Sequence, residues 1–493
     1  MRKKRLFYNT IASLADQGIV MLCAIILPKF FLEYYGSAVN GLVSSITQFL
    51  SFIAFLDLGV GAVVQSTLYK PLAENSREDI SKILSSARKF FRKIARIFVI
   101  YIIILVALYP TLIAKQYGFL YTAALIGSIA ITQFAQYYFG IVNQLLLSAD
   151  QKSYIQMALN SIVLILNTVV CILLIKLNFS IQLVKLFSSL VFLLKPIGMW
   201  LYVKQHYDIN YRIQYDGEPI KQKWNGLAQH VTAVVLDNTD IALLTFFTTL
   251  ENVSIYSVYY LVVHGIRKIL ERFSTGMQSL LGDLYARNEH DRLNKVFGHF
   301  EFLIHTGVVF LFTCTGILLV PFVMVYTLGV NDANYNVPLF GIILTMSQAA
   351  YCLRVPYNMM VKAAGHYKET QTSAVIEMII NIVISVLTVV KFGLIGVAIG
   401  TLCAMLYRTL YLVIYSYKNL LHRHRTELIK QFFVDAIEVS LIVIMCHKIH
   451  INQFTFIAWI RMAVPVAICS MLVIGVVSII MYRNEMIKFF KKN

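Results

Sequence analysis

Cationic side chains recur inside stretches of this sequence that are otherwise apolar. They are Lys29, Arg267, Arg272, Arg354 and Arg408. An ionisable side chain at bilayer depth costs a few kcal/mol unless it is paired or hydrated, so each position is a candidate functional site. Guanidinium groups pair well with phosphate oxygens through two parallel hydrogen bonds. These residues therefore predict a hydrated site for an anion.

Carboxylates stand in the same kind of stretch, at Asp57, Asp237, Asp240 and Glu271. Glu271 lies four residues after Arg267, so the two either neutralise each other along one helix face or share the site. Asp237 and Asp240 either pair with Arg267 or Arg272 as structural contacts, or bind a cation or proton. Asp57 is a candidate partner for Lys29, which follows a helix-bending proline. The two interpretations of Glu271, and those of Asp237 and Asp240, remain open.

The other polar residues of the apolar stretches are predicted to have structural roles. Lys185 and Lys195 are expected to extend towards the two membrane interfaces. His305 stands alone on an apolar face, without the spacing of metal ligands, and is expected to be a hydrogen-bonded core residue. The seven cysteines lie in apolar segments and form no C-x-x-C pair. The sequence holds no phosphate-binding loop or zinc-binding helix motif, and neither a cofactor nor a metal site is predicted.

The amino-acid composition indicates whether the apolar stretches lie in water or in a membrane. Of the 493 residues, 58% are hydrophobic and 14% are charged. A soluble domain averages roughly 45–50% apolar and about 25% charged residues, so the excess has no water-facing surface to occupy. The chain is predicted to be an all-α, polytopic membrane protein, either a transporter, a channel or a membrane-embedded enzyme.

The apolar runs divide into about fourteen transmembrane helices. The predicted spans are 7–32, 39–68, 97–114, 119–148, 154–176, 180–203, 226–249, 253–286, 298–326, 335–361, 370–391, 393–416, 431–449 and 456–481. Alternate connections hold most of the basic residues, which places them and both termini in the cytoplasm. Much of the net charge of +18 therefore sets orientation, and no nucleic-acid partner is predicted. The basic segment 80–94 fits either a surface-lying amphipathic helix or an extension of the third span.

A weak internal repeat relates the two halves at an offset of about 213–215 residues. Asn75 recurs as Asn288 within a matching segment, and Asn167 recurs as Asn381. The offset covers six spans, an even number, so both copies share one orientation in the bilayer. The prediction is two pseudo-symmetric six-helix lobes around a central cavity, with two additional C-terminal helices. The predicted bounds are 1–204 for the first lobe, 205–220 for a linker, 221–418 for the second lobe and 419–493 for the C-terminal part.

Several segments are similar to one family of membrane transporters. They are Leu27-Pro-Lys-Phe, Tyr35-Gly-Ser-Ala-Val-Asn40-Gly-Leu, Leu56-Asp-Leu-Gly59, Leu68-Tyr-Lys-Pro-Leu-Ala-Glu74, Ile255-Tyr-Ser-Val-Tyr-Tyr260, Arg354-Val-Pro356 and Ala363-Ala-Gly365-His-Tyr-Lys368. With these segments the chain resembles the Wzx-type flippases for O-antigen and capsule repeat units. That resemblance implies the multidrug/oligosaccharidyl-lipid/polysaccharide transporter fold, and it maps cavity cations onto Lys29, Arg267 and Arg354. Arg272 and Arg408 are added on charge alone.

The resemblance implies transport of undecaprenyl-diphosphate-linked oligosaccharides across the bacterial cytoplasmic membrane for surface polysaccharide or exopolysaccharide synthesis. We expect a monomeric transporter rather than an enzyme, with a polysaccharide polymerase and glycosyltransferases as partners. One alternative is a cation-coupled multidrug antiporter of the same fold. Another, from a different class, is a membrane-embedded polymerase or glycosyltransferase. The short predicted outer loops disfavour that enzyme, since they leave little room for catalytic residues.

Overall fold

The structure is a computed structural model. It describes residues 2–57, 59–215, 217, 219–220, 227–274, 276–421, 423, 425–451 and 453–481, and within these ranges it contains helices and no strands. The side chains of 2–7, 10, 227–230 and 425 are not described. Residues 221–226 at the predicted start of the second lobe, and the basic tail 483–492, lie outside the described residues. The all-α prediction is confirmed.

Two compact units divide the chain at residues 246 and 247. The first contains α1 (Arg2–Ser51), α2 (Val60–Glu74), α3 (Arg77–Leu112), α4 (Phe119–Ala135), α5 (Ile141–Ala149), α6 (Ser153–Lys176), α7 (Ile181–Phe192), α8 (Leu194–His206) and α9 (Leu227–Phe247). A 3-10 turn, Phe52–Asp57, and a π-turn, Gln136–Gly140, interrupt the second and fourth passes. The end of α9 packs within this unit, where Thr245 donates a hydrogen bond to Ser45 of α1 at 2.8 Å.

The second unit contains α10 (Leu250–Ser274), α11 (Met277–Ala286), α12 (His290–Tyr326), α13 (Pro338–Leu353), α14 (Val355–Ala363), α15 (Tyr367–Phe392), α16 (Leu394–Ser416), α17 (Arg425–Cys446) and α18 (Phe456–Met481). A π-turn, Tyr417–Leu421, continues α16. The core of this unit gathers apolar side chains from α10 to α14 and from α16, including Leu270, Phe297, Tyr357 and Leu412. The predicted lobe and linker bounds rest on the sequence repeat and stay a prediction.

Each of the fourteen predicted spans coincides with one of these helices or with two consecutive ones. Ten described helical stretches are long and apolar enough to cross a membrane, one of which, Ile11–Asp57, covers most of the first two predicted spans. The helices α10 and α17 fall outside this set. They carry Arg267, Lys268, Glu271 and Arg272, and Asp435 and Glu438, respectively. The least apolar passes are thus among those that carry buried charge.

Residues with positive φ recur between the two units at the same offset as the sequence repeat. Asn75 and Asn288 both adopt positive φ, at 54° and 55°. Gln151 and Gly365 follow, at 57° and 75°, and then Asn178 and Gly393, at 59° and 54°. The members of these pairs are separated by 213, 214 and 215 residues. Because positive φ is uncommon outside glycine, equivalent breaks between helices recur at the predicted offset.

Gly36 divides the first two predicted spans. It lies inside the continuous α1 but has φ 80° and ψ 172°, which no residue with a Cβ adopts readily. The residues on either side therefore form two helical arms rather than one straight helix. This break is where the apolar pattern places the first connection, at residues 33–38.

The basic segment 80–94 belongs to α3, which runs from Arg77 to Leu112 without a break. Of the two interpretations of its amphipathic pattern, the structure has the extension of the third span. The residues that follow α8 pack on this extension: Arg88 lies 4.4 Å from the ring centroid of Tyr211, and Arg77 pairs with Asp208 at 3.1 Å. Burial raises the pKa of the Tyr211 phenol. The start of the predicted linker is therefore docked on its own unit.

The helices α15 and α16 approach each other closely through two glycines. A Cβ on Gly400 would lie 2.7 Å from the backbone nitrogen of Ser385, and one on Gly396 would lie 2.7 Å from that of Val389. Small residues four positions apart allow such contact between membrane helices. The same packing brings the first half of α15 beside α16, where Glu377 and Arg408 meet.

Candidate functional site

Charged residues of the second unit gather in one cluster, which we call the cationic cluster. It consists of Arg267 and Lys268 of α10, Arg354 at the junction of α13 and α14, Lys362 of α14 and Arg408 of α16, together with Glu271 and Glu377. The three arginines are 4%, 7% and 6% exposed. Three of the five predicted cations, Arg267, Arg354 and Arg408, are thus brought together.

The α10 part of the cluster follows from helical spacing. The Nε of Arg267 donates to Oε1 of Glu271 at 2.9 Å, and Nζ of Lys268 contacts Oε2 at 2.8 Å. Residues three and four apart share one helix face, so both cations reach the same carboxylate. The Arg267–Glu271 pair is therefore present, and the same carboxylate also contacts Lys268.

Tyr351 joins the two predicted arginines that are farther apart in sequence. The Cζ atoms of Arg267 and Arg354 lie 3.5 and 4.3 Å from the centroid of its ring. Arg267 also donates to Gln348 Oε1 at 3.4 Å. Guanidinium groups are attracted to the negative face of an aromatic ring, which can hold two like charges near each other at low cost. Tyr351 therefore positions both groups.

Glu377 joins Arg354 to Arg408. Arg354 Nη1 donates to Glu377 Oε1, and Arg408 Nε lies 3.7 Å from Oε2. Arg408 also donates to the Thr370 carbonyl at 2.8 Å and to the Ser373 hydroxyl. Because α13, α15 and α16 each supply one member, the arrangement depends on their close packing.

The cluster carries more positive than negative charge. Lys362 adds a fifth cation, which interacts electrostatically with Arg354, Glu271 and Arg408. Among these seven residues, five cations share two carboxylates, in a part of the protein made largely of apolar helices. Bringing like charges together in such surroundings costs free energy. An anion with several negative oxygens would reduce that cost, so the cluster is suited to phosphate or carboxylate groups.

The other two predicted cations are Arg272 and Lys29. The Arg272 residue of α10 is exposed. Lys29 belongs to the first unit, where its Nζ lies 3.6 Å from Glu33 Oε1 one helical turn further along α1. Its side chain remains partly exposed.

The three predicted aspartates belong to the first unit. Asp57 ends the 3-10 turn before Gly59. Asp237 and Asp240 lie on α9, and Asp240 is 5% exposed. Between them, the Asn238 side chain accepts a hydrogen bond from Gln48 of α1.

Lys195 has a partner within the first unit. Its Nζ donates to Asn160 Oδ1 at 2.9 Å, and Asn160 in turn donates to Asp16 Oδ1 at 2.8 Å. The Lys185 ammonium lies 4.0 Å from the ring centroid of Phe31. An internal hydrogen bond or an aromatic face is available to each of them within the first unit, so these lysines contact protein.

Sequence reasoning did not assign Glu377, Tyr351, Gln348 and Lys362 to the site. Glu377 was visible as an intramembrane charge, but 23 residues separate it from Arg354 and no helical spacing relates them. Tyr351 lies three residues before Arg354, on the same face of α13, and this spacing was a usable signal. Among the described residues, no group of three or more His, Cys, Asp or Glu side chains could hold a metal ion.

The arrangement of helices is similar to that of solved membrane transporters. A lipid II flippase, MurJ, in an inward closed conformation matches with a TM-score of 0.72 and 17% identity, over 97% of this chain and 99% of that chain. The chain shares the fold of this flippase. An inward-facing MATE-family multidrug resistance transporter of the MOP superfamily matches with a TM-score of 0.60 and 13% identity, over 82% and 94%. The Vibrio cholerae MATE transporter VcmN in its bent form gives 0.56 and 13%, over 85% and 97%.

No protein-family model and no curated protein matches the chain. Sequence identities of 13–17% support the fold rather than the cargo. The fold and the ten apolar helical stretches make the chain a multi-pass membrane protein with the architecture of the MOP-superfamily transporters.

Proposed function

We propose that the chain is a flippase for oligosaccharides linked to undecaprenyl diphosphate, which it moves by alternating access from the inner to the outer leaflet of the bacterial cytoplasmic membrane. The cationic cluster binds the diphosphate and any acidic sugars. The polyprenyl tail remains in the lipid, and the exported repeat units feed capsule, O-antigen or exopolysaccharide synthesis. Glycosyltransferases act before this step, and a polymerase acts after it.

One observation carries the proposal. Three buried guanidinium groups are held together by one tyrosine ring and one carboxylate. A diphosphate has the charge and the oxygen geometry that such a group recognises. The similarity to a flippase for lipid II adds support, because that protein moves a lipid across a membrane.

The test uses cells in which the chromosomal gene is deleted and variants are supplied at matched expression. Arg267→Gln and Arg354→Gln should each reduce surface polysaccharide at least tenfold, because a hydrogen bond to a charged group contributes about 1.5–3 kcal/mol. Arg267→Lys and Arg354→Lys keep the charge and should retain part of the export. Lys29→Gln tests the predicted cation of the first unit, and its partly exposed side chain predicts the smaller effect.

Arg292→Gln is the matched control, since this exposed arginine of the same unit pairs with Glu289 on the surface. It should leave export unchanged. Lipid-linked repeat units should accumulate at the inner leaflet of the Arg354→Gln strain. Normal surface polysaccharide in the Arg267→Gln/Arg354→Gln double variant, with the protein present in the membrane, would contradict the proposed role of the cluster.

A second candidate is a cation-coupled multidrug antiporter. It is favoured by the likeness to MATE transporters and by the buried acidic residues Asp16 and Asp240 of the first unit, which are 8% and 5% exposed. Such an exporter should change the susceptibility of the deletion strain to cationic drugs, and Asp240→Asn should have the effect of the deletion. Unchanged drug susceptibility together with lost polysaccharide would separate the two candidates.

A further inference from the structure

A buried polar network in the second unit lies outside the cationic cluster. His305 of α12 is fully buried, and its Nδ1 lies 2.5 Å from Oδ2 of Asp435 on α17. Its Nε2 lies 3.3 Å from the hydroxyl of Tyr357 on α14. These two contacts fix both nitrogens of one imidazole, and they join α17 to the helix bundle.

The hydroxyl of Tyr357 already donates its hydrogen to Glu301. Tyr357 donates to Oε1 of Glu301 at 2.7 Å, and Tyr417 donates to the same oxygen at 2.9 Å. Arg423 Nη1 donates to Oε2 of Glu301 at 2.8 Å. The Glu301 carboxylate therefore accepts the hydrogens of both phenols. Since a phenol has one hydrogen, Tyr357 can only accept from His305, and Nε2 of His305 must therefore carry a hydrogen.

The contact between His305 and Asp435 then requires a second hydrogen. Oδ1 of Asp435 already accepts from Gln431 at 3.0 Å. If the imidazole were neutral and Asp435 ionised, two acceptor atoms would face each other at 2.5 Å, which is repulsive. The pair therefore holds one proton between Nδ1 and Oδ2, either as imidazolium with carboxylate or as neutral imidazole with carboxylic acid.

We propose that His305 and Asp435 form a proton-binding site that fastens α17 to the helix bundle when the proton is bound. Loss of the proton leaves two arrangements. Either the two acceptors separate and α17 moves away from α12, or the imidazole places its hydrogen on Nδ1 and Tyr357 gives up its bond to Glu301. Both alter contacts that hold α17 and the π-turn, so the site links proton binding to the position of α17.

The charged and titratable groups around the pair come from several elements. Glu301 stands one helical turn away on α12, Tyr357 and Tyr417 face it from α14 and the π-turn, and Arg423 precedes α17. Glu438 of α17, 3% exposed, interacts with Asp435 and contacts Ser478 of α18 at 3.5 Å. The helices α10, α11, α13 and α16 present apolar side chains to this core, among them Leu270, Leu281, Cys352 and Leu412. The ring of Phe432 covers the imidazole at 5.3 Å.

A path for the proton runs to the end of the unit where α17 begins. Asp435 lies ten residues into α17, about 15 Å along the helix from its start. Glu427, with a half-exposed side chain, pairs with Arg423 at 2.5 Å, and Arg423 reaches Glu301. Polar groups therefore connect the buried pair to the helix end that the charge pattern predicts to be cytoplasmic. The site does not depend on the identity of the cargo.

The test is thermal unfolding of the purified full chain in lipid nanodiscs from about pH 5 to about pH 9, a range across which His and Asp side chains change charge. The protonated pair stabilises the fold, and this stabilisation disappears as the pH rises. The unfolding midpoint of the unmodified chain should therefore fall by about 2–4 °C across this range, the shift expected when a unit of this size is weakened by one such pair. Asp435→Asn should weaken the dependence, because the amide donates to neutral Nδ1 without a bound proton and its oxygen still accepts from Gln431.

Tyr357→Phe is the second variant. Without the phenol, Nε2 needs no hydrogen, so the imidazole can donate to Asp435 from Nδ1 while neutral, and the dependence on pH should again weaken. Tyr259→Phe is the matched control: it removes a buried hydroxyl of the same unit that donates to the Tyr335 carbonyl at 2.7 Å, which does not titrate. This control should lower the midpoint equally at every pH.

Nitrogen-15 spectra of labelled histidine give a readout of the proton itself. The signal that disappears in His305→Asn identifies His305, which should carry hydrogen on Nε2 throughout the acidic part of the range. Equal pH dependence of the unmodified chain and Asp435→Asn would overturn the proposal, and so would hydrogen on Nδ1 alone at low pH. Neither readout involves transport, so the proposed flippase could fail its own test while this site passes, or the reverse.

Discussion

At the scale of single residues, Glu377 shows how burial turns one carboxylate into a determinant of the cationic cluster. It is 2% exposed and lies between the guanidinium groups of Arg354 and Arg408, and no second carboxylate among the described residues forms an ion pair with either of them. Removing one member of a buried ionic group leaves the others without compensation, which costs more than the group contributes as a whole. Its loss should therefore affect stability more than the loss of either arginine.

Glu377→Gln should lower the free energy of unfolding by about 3–5 kcal/mol, as expected when a buried ion pair loses one partner. Denaturant unfolding of the purified chain in detergent measures this change. Adding Arg408→Gln should restore part of the loss, because one unpaired cation is removed. Asp283→Asn, which opens an exposed pair with Arg287, is the control and should leave the midpoint unchanged. An equal effect of both acidic substitutions would argue against a buried role for Glu377.

How far the sequence predicts this site depends on distance along the chain. The Arg267–Glu271 pair is encoded by a spacing of four residues and could be read directly. Glu377 and Arg354, or His305 and Asp435, meet only after folding, across 23 and 130 residues, and no periodicity encodes such a contact. The hydrogen bond of Lys195 could not be read either, because its partner, Asn160, lies on a different helix.

At the scale of elements, the pair α15 and α16 positions Glu377 beside Arg408. Gly400 faces the backbone of Ser385, with no room for a side chain. Hydropathy gave the bounds of both helices to within a few residues, since apolar length is all that such a prediction needs. Hydropathy does not predict the distance between α15 and α16, because close contact through small residues depends on which helices are neighbours.

Gly400→Ala should force α15 and α16 apart and lower the free energy of unfolding by about 1–3 kcal/mol, the usual cost of overpacking. It should also reduce polysaccharide export, since Glu377 moves relative to Arg408. Gly475→Ala on α18 provides the comparison, because no atom lies within 4 Å of its added Cβ. That variant should be neutral or slightly stabilising. Thermal unfolding of both proteins in the same detergent checks the difference, and equal midpoints would contradict it.

At the scale of the whole molecule, composition and repeat were sufficient to predict the class of fold. The 58% hydrophobic content required membrane helices, and the offset of about 213–215 residues is visible again in the paired positive-φ residues. Composition and repeat are both summed over hundreds of residues, so they can be detected in a sequence that does not reveal individual contacts. The orientation of the chain stays a prediction from the distribution of basic residues.

That orientation can be tested by cysteine labelling in a background without native cysteines. Arg287→Cys lies in a basic connection and should react with a membrane-impermeant maleimide only after the cells are permeabilised. Asp332→Cys lies in the connection between α12 and α13 and should react in intact cells, because this connection falls on the opposite side of the membrane. Labelling of Arg287→Cys in intact cells would reverse the predicted topology of the second unit.

The short-range pairing within α10 has a consequence for how the protein is made. A helix that enters the bilayer during synthesis meets a cost of about 2.5–3.5 kcal/mol for each charged residue near its centre. Gln348, Tyr351 and Glu377 are not yet synthesised when α10 leaves the ribosome. Arg267 and Lys268 have Glu271 on their own helix, at 2.9 and 2.8 Å, so two of the three charges can be neutralised before any neighbour exists. Glu271 thus lowers the cost of inserting its own helix before it takes its place in the finished cluster.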